Sequence, residues 1–227
     1  GLQFGQTPAP IQVNGNGHNI TRTSFLAPFV RNGTNPGLSV KPGNTIALIG
    51  GNITLNGGVL TAEGGSVELG AIGGESARVG INQANTGWTF DYDSVQQFAD
   101  IELTQRSLVD AGNTAPGSIR VRGNNLLLQG ASALLLENRG TQPTGSIDIQ
   151  TSQSVQLVGD SPSNKLFSSG ILSDALNSGR GGDVSISTQR LFVQGGSNLI
   201  RALTFGAADG GNIADASEVS VIGGLQD

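Results

Sequence analysis

Residues 45–74 read TIALIGGNITLNGGVLTAEGGSVELGAIGG, and apolar side chains recur there at an interval of seven. Ile46, Ile53, Leu60 and Val67 form one series, and Leu48, Leu55, Ala62 and Leu69 form a second, two positions further on. Between them stand Ala47, Thr54, Thr61 and Glu68, which the alternation assigns to the outward face. Within each unit the period is two, as a half-buried strand requires. A helical heptad is excluded, because the glycine pairs closing at Gly51, Gly58 and Gly65 would cost about 1 kcal/mol per glycine in a helix interior. Bends this short leave no room for crossover helices, so the strands are expected to coil around a common axis. With three sides to a turn, one coil takes about 21 residues.

A longer repeat follows, with GSIRV at Gly117, GSIDI at Gly145, GDVSI at Gly182 and GNIAD at Gly211, spaced by 28, 37 and 29 residues. Each is followed by a second strand ending in glycine, at Gly130, Gly159, Gly195 and Gly223. A variable third side comes next, SALLLEN, then KLFSSGILSDAL, then NLIRALTF. Insertions in a solenoid gather on one face, which is often the binding face. The last unit carries Asp215 where the others carry Val or Ile. Either the register slips by one there or the coil frays; a buried unpaired carboxylate is too costly to keep, so Asp215 is expected to turn outward.

Two stretches depart from the repeat. Residues 1–44 scatter Pro8, Pro10, Pro28, Pro36 and Pro42 among Leu2, Phe4, Phe25, Leu26, Phe29 and Val30. They read as an irregular cap over the first coil or as a loose leader, since proline removes ladder donors. Residues 75–103 form an aromatic-rich excursion holding Trp88, Phe90, Tyr92 and Phe98. It is either a plug packed on the solenoid flank or a ligand-stacking site, with Trp88 and Tyr92 as the candidate binding residues. Within it, DSVQQFADI at residues 93–101 reads as a short helix with Asp93 as N-cap and Val95, Phe98 and Ile101 on one face.

Composition narrows the function classes. The net charge is -5, and Lys41 and Lys165 are the only lysines, which removes the basic footprint of nucleic-acid binding. No cysteine is present, so disulfides and thiolate metal sites are out. No apolar run approaches the roughly 18 residues of a membrane span. The chain lacks a signal peptide and any methionine, and it stops at Asp227 without a polar cap, so it is expected to be cut from a longer precursor.

Catalysis on a solenoid needs carboxylates and a basic group converging on one groove. The candidates by proximity are Asp91 with Asp93, Asp100 with Glu102, Asp110, and Arg120 with Arg122. Arg120 and Arg122 fall on outward positions beside Ile119 and Val121, where solvated charge is the plain reading. GRGGDVSIS at residues 179–187 resembles a calcium-binding nonapeptide but occurs once, so no metal is expected. Gly15, Gly17 and His18 open no helix after a strand, and a lone His18 makes no zinc site; it reads as a turn residue. No cofactor is expected. Asn14, Asn16, Asn19, Asn124 and Asn125 are candidates for hydrogen-bonded ladders at bends or for plain surface polarity.

Several segments together resemble one family: GLQFGQ at Gly1, VKPGNTIALIGGNITLNGGVLTAEGGSVELG from Val40, GWTFDY from Gly87, FADI from Phe98, and GSIDIQTSQSVQLVG from Gly145. The chain is similar to the filamentous haemagglutinins of cyanobacterial type, large exoproteins of two-partner secretion. The resemblance implies a right-handed parallel β-helix exported through an outer-membrane β-barrel partner. It also implies an adhesive role at the cell surface, toward a receptor or glycan that it does not name. The asparagine-rich signature of the family's secretion domain, of the type NP(S/N)G-I-x-F-G-P, is missing, which places this stretch late in that domain and running into the first adhesin repeats.

The resulting expectation is a single all-β domain over residues 1–227, a solenoid of about eight to ten coils and roughly 40 Å. It is read as a secreted adhesin fragment without an active site; the alternative is a β-helix that binds or cleaves polysaccharide. Asp in place of Ile53 or Val121 is expected to prevent folding, whereas Thr54 and Arg122 are expected to tolerate it.

Overall fold

The structure, a computed structural model, describes residues 1–24, 27–33, 36–84, 87–159, 167–195 and 199–222. Phe25, Leu26, Lys165, Gly223 and Asp227 lie outside the described residues. The chain is a parallel β-helix with three faces. The first face stacks Thr45–Gly50 and Ser66–Gly73 against the leading halves of Ser118–Gln129, Ser146–Val158, Asp183–Gln194 and Ile213–Ile222. The second stacks Ile11–Asn14, Ile53–Asn56 and Ile101–Thr104 against the trailing halves of the same long strands. The third runs Leu38–Ser39, Val59–Thr61, Leu108–Asp110, Ala133–Asn138, Gly170–Ala175 and Leu199–Thr204.

The seven-residue series maps onto successive faces. Ile46 stacks on Val67 and Leu48 on Leu69, a coil of 21 residues. Later, Ile119 stacks on Ile147, Ile147 on Val184, and Val184 on Ile213, which reproduces the 28, 37 and 29 residue intervals. The inner rows are dry: Ile53, Leu55, Leu60, Leu69, Ile119, Val121, Leu126 and Leu128 are each fully buried in one continuous core. No register slip occurs at Asp215: it pairs with Ile186 and is exposed, as Ile213 is, on the last strand.

Among the described residues the second face has seven rungs, fewer than the eight to ten expected, and at about 4.8 Å per rung they span roughly 30 Å. Residues went instead into two structures that return over the outer faces. Between the first and second faces of one coil, Arg78–Ala84 and Gly87–Asp91 form an antiparallel hairpin, here called the flank hairpin. The expected helix at residues 93–101 does not form. Gln97–Phe98 pairs antiparallel with Ile72 and Gly73, Ile101–Thr104 enters the second face, and a turn closes where Asp91 Oδ1 accepts the Asp93 N–H at 2.9 Å. Pairing with the end of Ser66–Gly73 outcompetes a lone helical turn whose cost of nucleation nothing else offsets.

The second structure lies within residues 1–44. Ile11–Asn14 and Leu38–Ser39 are rungs, and between them Ile20–Thr21 and Val30–Arg31 pair antiparallel as a strap over the third face. The strap, with Phe167, buries Ile20 and Phe29 against Leu108, Leu135 and Leu172.

Candidate functional site

The flank hairpin sits over the end of Ser66–Gly73, where Gly70 carries no side chain and Ile72 is apolar. Phe90, Tyr92 and Val95 pack with Ile72, Ala77 and Val79 in a second small core. Gly70 makes the approach possible: a Cβ there would lie 2.3 Å from the Tyr92 hydroxyl. Tyr92 is therefore a buried packing residue at 8% exposure, while Trp88 is 49% exposed, so the two do not form one stacking platform. The outer edge of the hairpin is occupied: the Trp88 N–H donates to Thr45 Oγ1 at 3.4 Å, and Phe90 O accepts from Arg120 Nη1 at 3.1 Å.

Beneath the hairpin the strand register builds a charge ladder. Glu68 pairs with Arg120 across one rung and Arg120 with Asp148 across the next. Arg120 Nη1 lies 3.5 Å from Glu68 Oε2, and Arg122 binds Asp148 through Nη2. Two outward assignments fail here. Glu68 is 3% and Arg122 5% exposed, because the hairpin and neighbouring rungs cover positions that alternation alone sends to solvent. The Tyr92 hydroxyl faces Glu68, and neither Tyr92 Oη nor Glu68 Oε1 has a hydrogen bond of normal geometry. Burial, opposed by Arg120, pushes the Glu68 carboxyl up to about 7. Burial and then the facing carboxyl push the Tyr92 phenol above its ordinary value.

Under the strap, buried carboxylates on the third face meet arginines. Arg31 binds Asp110 and, at 2.8 Å, Glu137, which also accepts from Arg139 at 2.7 Å. Arg201 grips Asp174 through two nitrogens and lies 4.9 Å from the centre of the Phe29 ring. Burial alone would lower Arg31, but Asp110 and Glu137 carry it upward. Burial outweighs Arg201 and lifts Asp174 to about 6. His18 is not an exposed turn residue: it is 1% exposed against Phe167, its Nε2 donates to Ala131 O at 2.9 Å and its Nδ1 accepts the Ile20 N–H at 3.2 Å. Burial brings it down to about 4, so the ring is neutral.

The remaining sequence candidates are dispersed. Asp100 Oδ1 accepts from Asn124 and Asn125 at 2.9 Å, and these pass the ladder to Ser152 and Ser154 at 2.8 and 2.7 Å. Asn124 and Asn125 thus bridge coils at the bend between the first and second faces, as a ladder reading requires. Glu102 lies away from them on the second face, in a groove with Thr54 and Gln129. In GRGGDVSIS, Asp183 accepts from Arg180 at 2.6 Å and from the Asn212 N–H at 2.7 Å. Among the described residues no helix is long and apolar enough to cross a membrane.

Sequence reasoning missed a groove of about 710 Å³ on the outer side of the second face. Its signal was present in the coil corners, where glycine is replaced once, at Gln105.

No curated protein and no solved structure matches the chain. The TPS secretion domain matches residues 1–124, from the first strand through the rungs that carry the flank hairpin to the bend at Asn124. A parallel β-helix whose first half matches that domain is a substrate of two-partner secretion, a secreted protein with an outer-membrane transporter as partner; the chain belongs to the TPS secretion domain family.

Proposed function

We propose that this chain is a segment of a large secreted surface adhesin of the filamentous haemagglutinin kind, cyanobacterial in type, which works by presenting surfaces and has no catalytic site. The observation that carries this reading is that the rungs continue without a break from the residues matching the secretion domain to Ile222, so that one solenoid joins an export module to an outward surface. What supports a non-catalytic role is the engagement of candidate carboxylates: Asp110 holds Arg31, Asp91 holds a turn, and Asp100 holds asparagines. Trp88, half exposed beside the hairpin edge, is the aromatic available to a receptor.

The test has two parts. Behind a signal peptide, the chain should reach the medium only when a two-partner outer-membrane transporter is co-expressed. Beads coated with the purified chain should adhere to cells and release no sugar from neutral or acidic glycans. Export without the transporter, absent adherence, or steady glycan hydrolysis would each refute the proposal.

A further inference from the structure

On the second face, strand stacking aligns polar groups in rows. Thr54 pairs with Glu102 and Asn56 with Thr104, and Gln129 Nε2 donates to Glu102 Oε1 at 3.4 Å. These side chains floor the groove of about 710 Å³, and Gln105 with Arg106 forms its wall. The wall is built at a conformational cost. The same corner recurs in five coils, at Gly57, Gln105, Gly130, Gly159 and Gly195, with φ of 65°, 53°, 61°, 75° and 109°. Four of the five are glycine, which adopts the left-handed region freely; a side chain there costs roughly 1–2 kcal/mol. Of these five positions only 105 carries a side chain, exposed and lining the groove; the residues that follow at two of the corners, Arg106 and Ala131, also take positive φ, 63° each. Backbone strain retained where an unstrained residue serves every other coil marks a position kept for what its side chain touches.

The chemistry of the lining names the ligand class. Amides and hydroxyls both donate and accept, and a carboxylate accepts from adjacent hydroxyls, the pattern that a sugar ring presents. Charge in the groove is one carboxylate, Glu102, and one guanidinium, Arg106, whose Nη2 is already committed to His18 O. The rungs repeat at about 4.8 Å, and Asn56, Thr104 and Gln129 on three of them line the groove with amides and a hydroxyl. We infer that this groove binds a neutral oligosaccharide chain laid across the rungs, contacted by Asn56, Glu102, Gln105 and Gln129. The inference rests on the adhesin reading for its biological setting and on the groove alone for its chemistry.

The deciding variant is Gln105→Gly, which restores the glycine of the other corners. Calorimetry and ligand-observed NMR with cellohexaose, mannohexaose and laminarihexaose, and with heparin and hyaluronan fragments as charged comparisons, should detect binding of a neutral oligomer. Gln105→Gly should weaken it about tenfold while the melting temperature stays level or rises, the loss expected when polar contacts are removed without unfolding. Glu102→Ala should weaken it as well. Binding of charged fragments alone, no neutral binding, or unchanged affinity in Gln105→Gly overturns the inference. If either variant chain, unable to bind saccharide, still coats beads that adhere to cells, the groove is not the adhesive surface and the adhesin reading stands.

Discussion

Replacing Glu68 by Gln should stabilise the protein, and only above mildly acidic pH. The carboxyl lies under the flank hairpin with a side-chain exposure of 4%, and its nearest countercharge, Arg120, is 3.5 Å away and itself 30% exposed. In the unfolded chain Glu68 loses its proton near 4.5; in the folded chain it holds the proton to about 7. Between those values the native state binds the extra proton, so stability falls as pH rises through the window. The gap from 4.5 to about 7, at about 1.36 kcal/mol per pH unit, amounts to about 3 kcal/mol. A glutamine keeps the shape and carries no charge at any pH. Urea unfolding of both proteins from pH 4 to pH 8, followed by circular dichroism, should give equal stabilities near pH 4. A gap should open in favour of the Gln protein and level off at roughly 2–3 kcal/mol above pH 7. Parallel pH profiles, or a Gln protein less stable at pH 8, would refute the burial-dominated account of this carboxyl.

Pairing and burial set the outcome at four other positions. Arg31→Leu removes the partner that Asp110 and Glu137 share under the strap and should cost about 3–5 kcal/mol in thermal or urea unfolding. The deficit should shrink toward acid pH, because Asp110 is already held above the usual carboxylate range by burial and protonation relieves its unpaired charge. Arg122→Asp, at a position alternation sends outward, should destabilise by about 3 kcal/mol or more, since it sets a second carboxylate against Asp148; Ile53→Asp should prevent folding, and Thr54→Asp should change stability by at most about 0.5 kcal/mol.

The inner architecture was legible because it is periodic. Ile46, Ile53 and Leu60 fall on successive faces, and Val67 returns above Ile46, so the seven-residue interval is the length of a side and its threefold multiple the length of a coil. The intervals of 28, 37 and 29 are later coil lengths for the same reason: parallel stacking keeps Ile119, Ile147, Val184 and Ile213 in one column whatever the third side inserts. The coil corner was equally written in the chain, as a column of glycines broken once at Gln105. That break stands out only when the corners are aligned, which needs the register.

The outer faces were not legible, and the cause is physical. Alternation states which residues share a side of a strand; it does not state what covers the outward side. Glu68 and Arg122 are buried because the flank hairpin folds back over Gly70, and Asp110, Glu137 and Asp174 are buried because Ile20–Thr21 and Val30–Arg31 strap the third face. His18 reads as a turn in sequence and becomes a neutral core residue when Phe167 and Ala131 arrive from far along the chain. The sequence alone thus determined the solenoid, its inner rows and its coil lengths, all consequences of local period and stacking. Only the tertiary structure decided which outward groups are desolvated, which charges must pair, and where a groove stays open, because each depends on contacts between segments that no local pattern links.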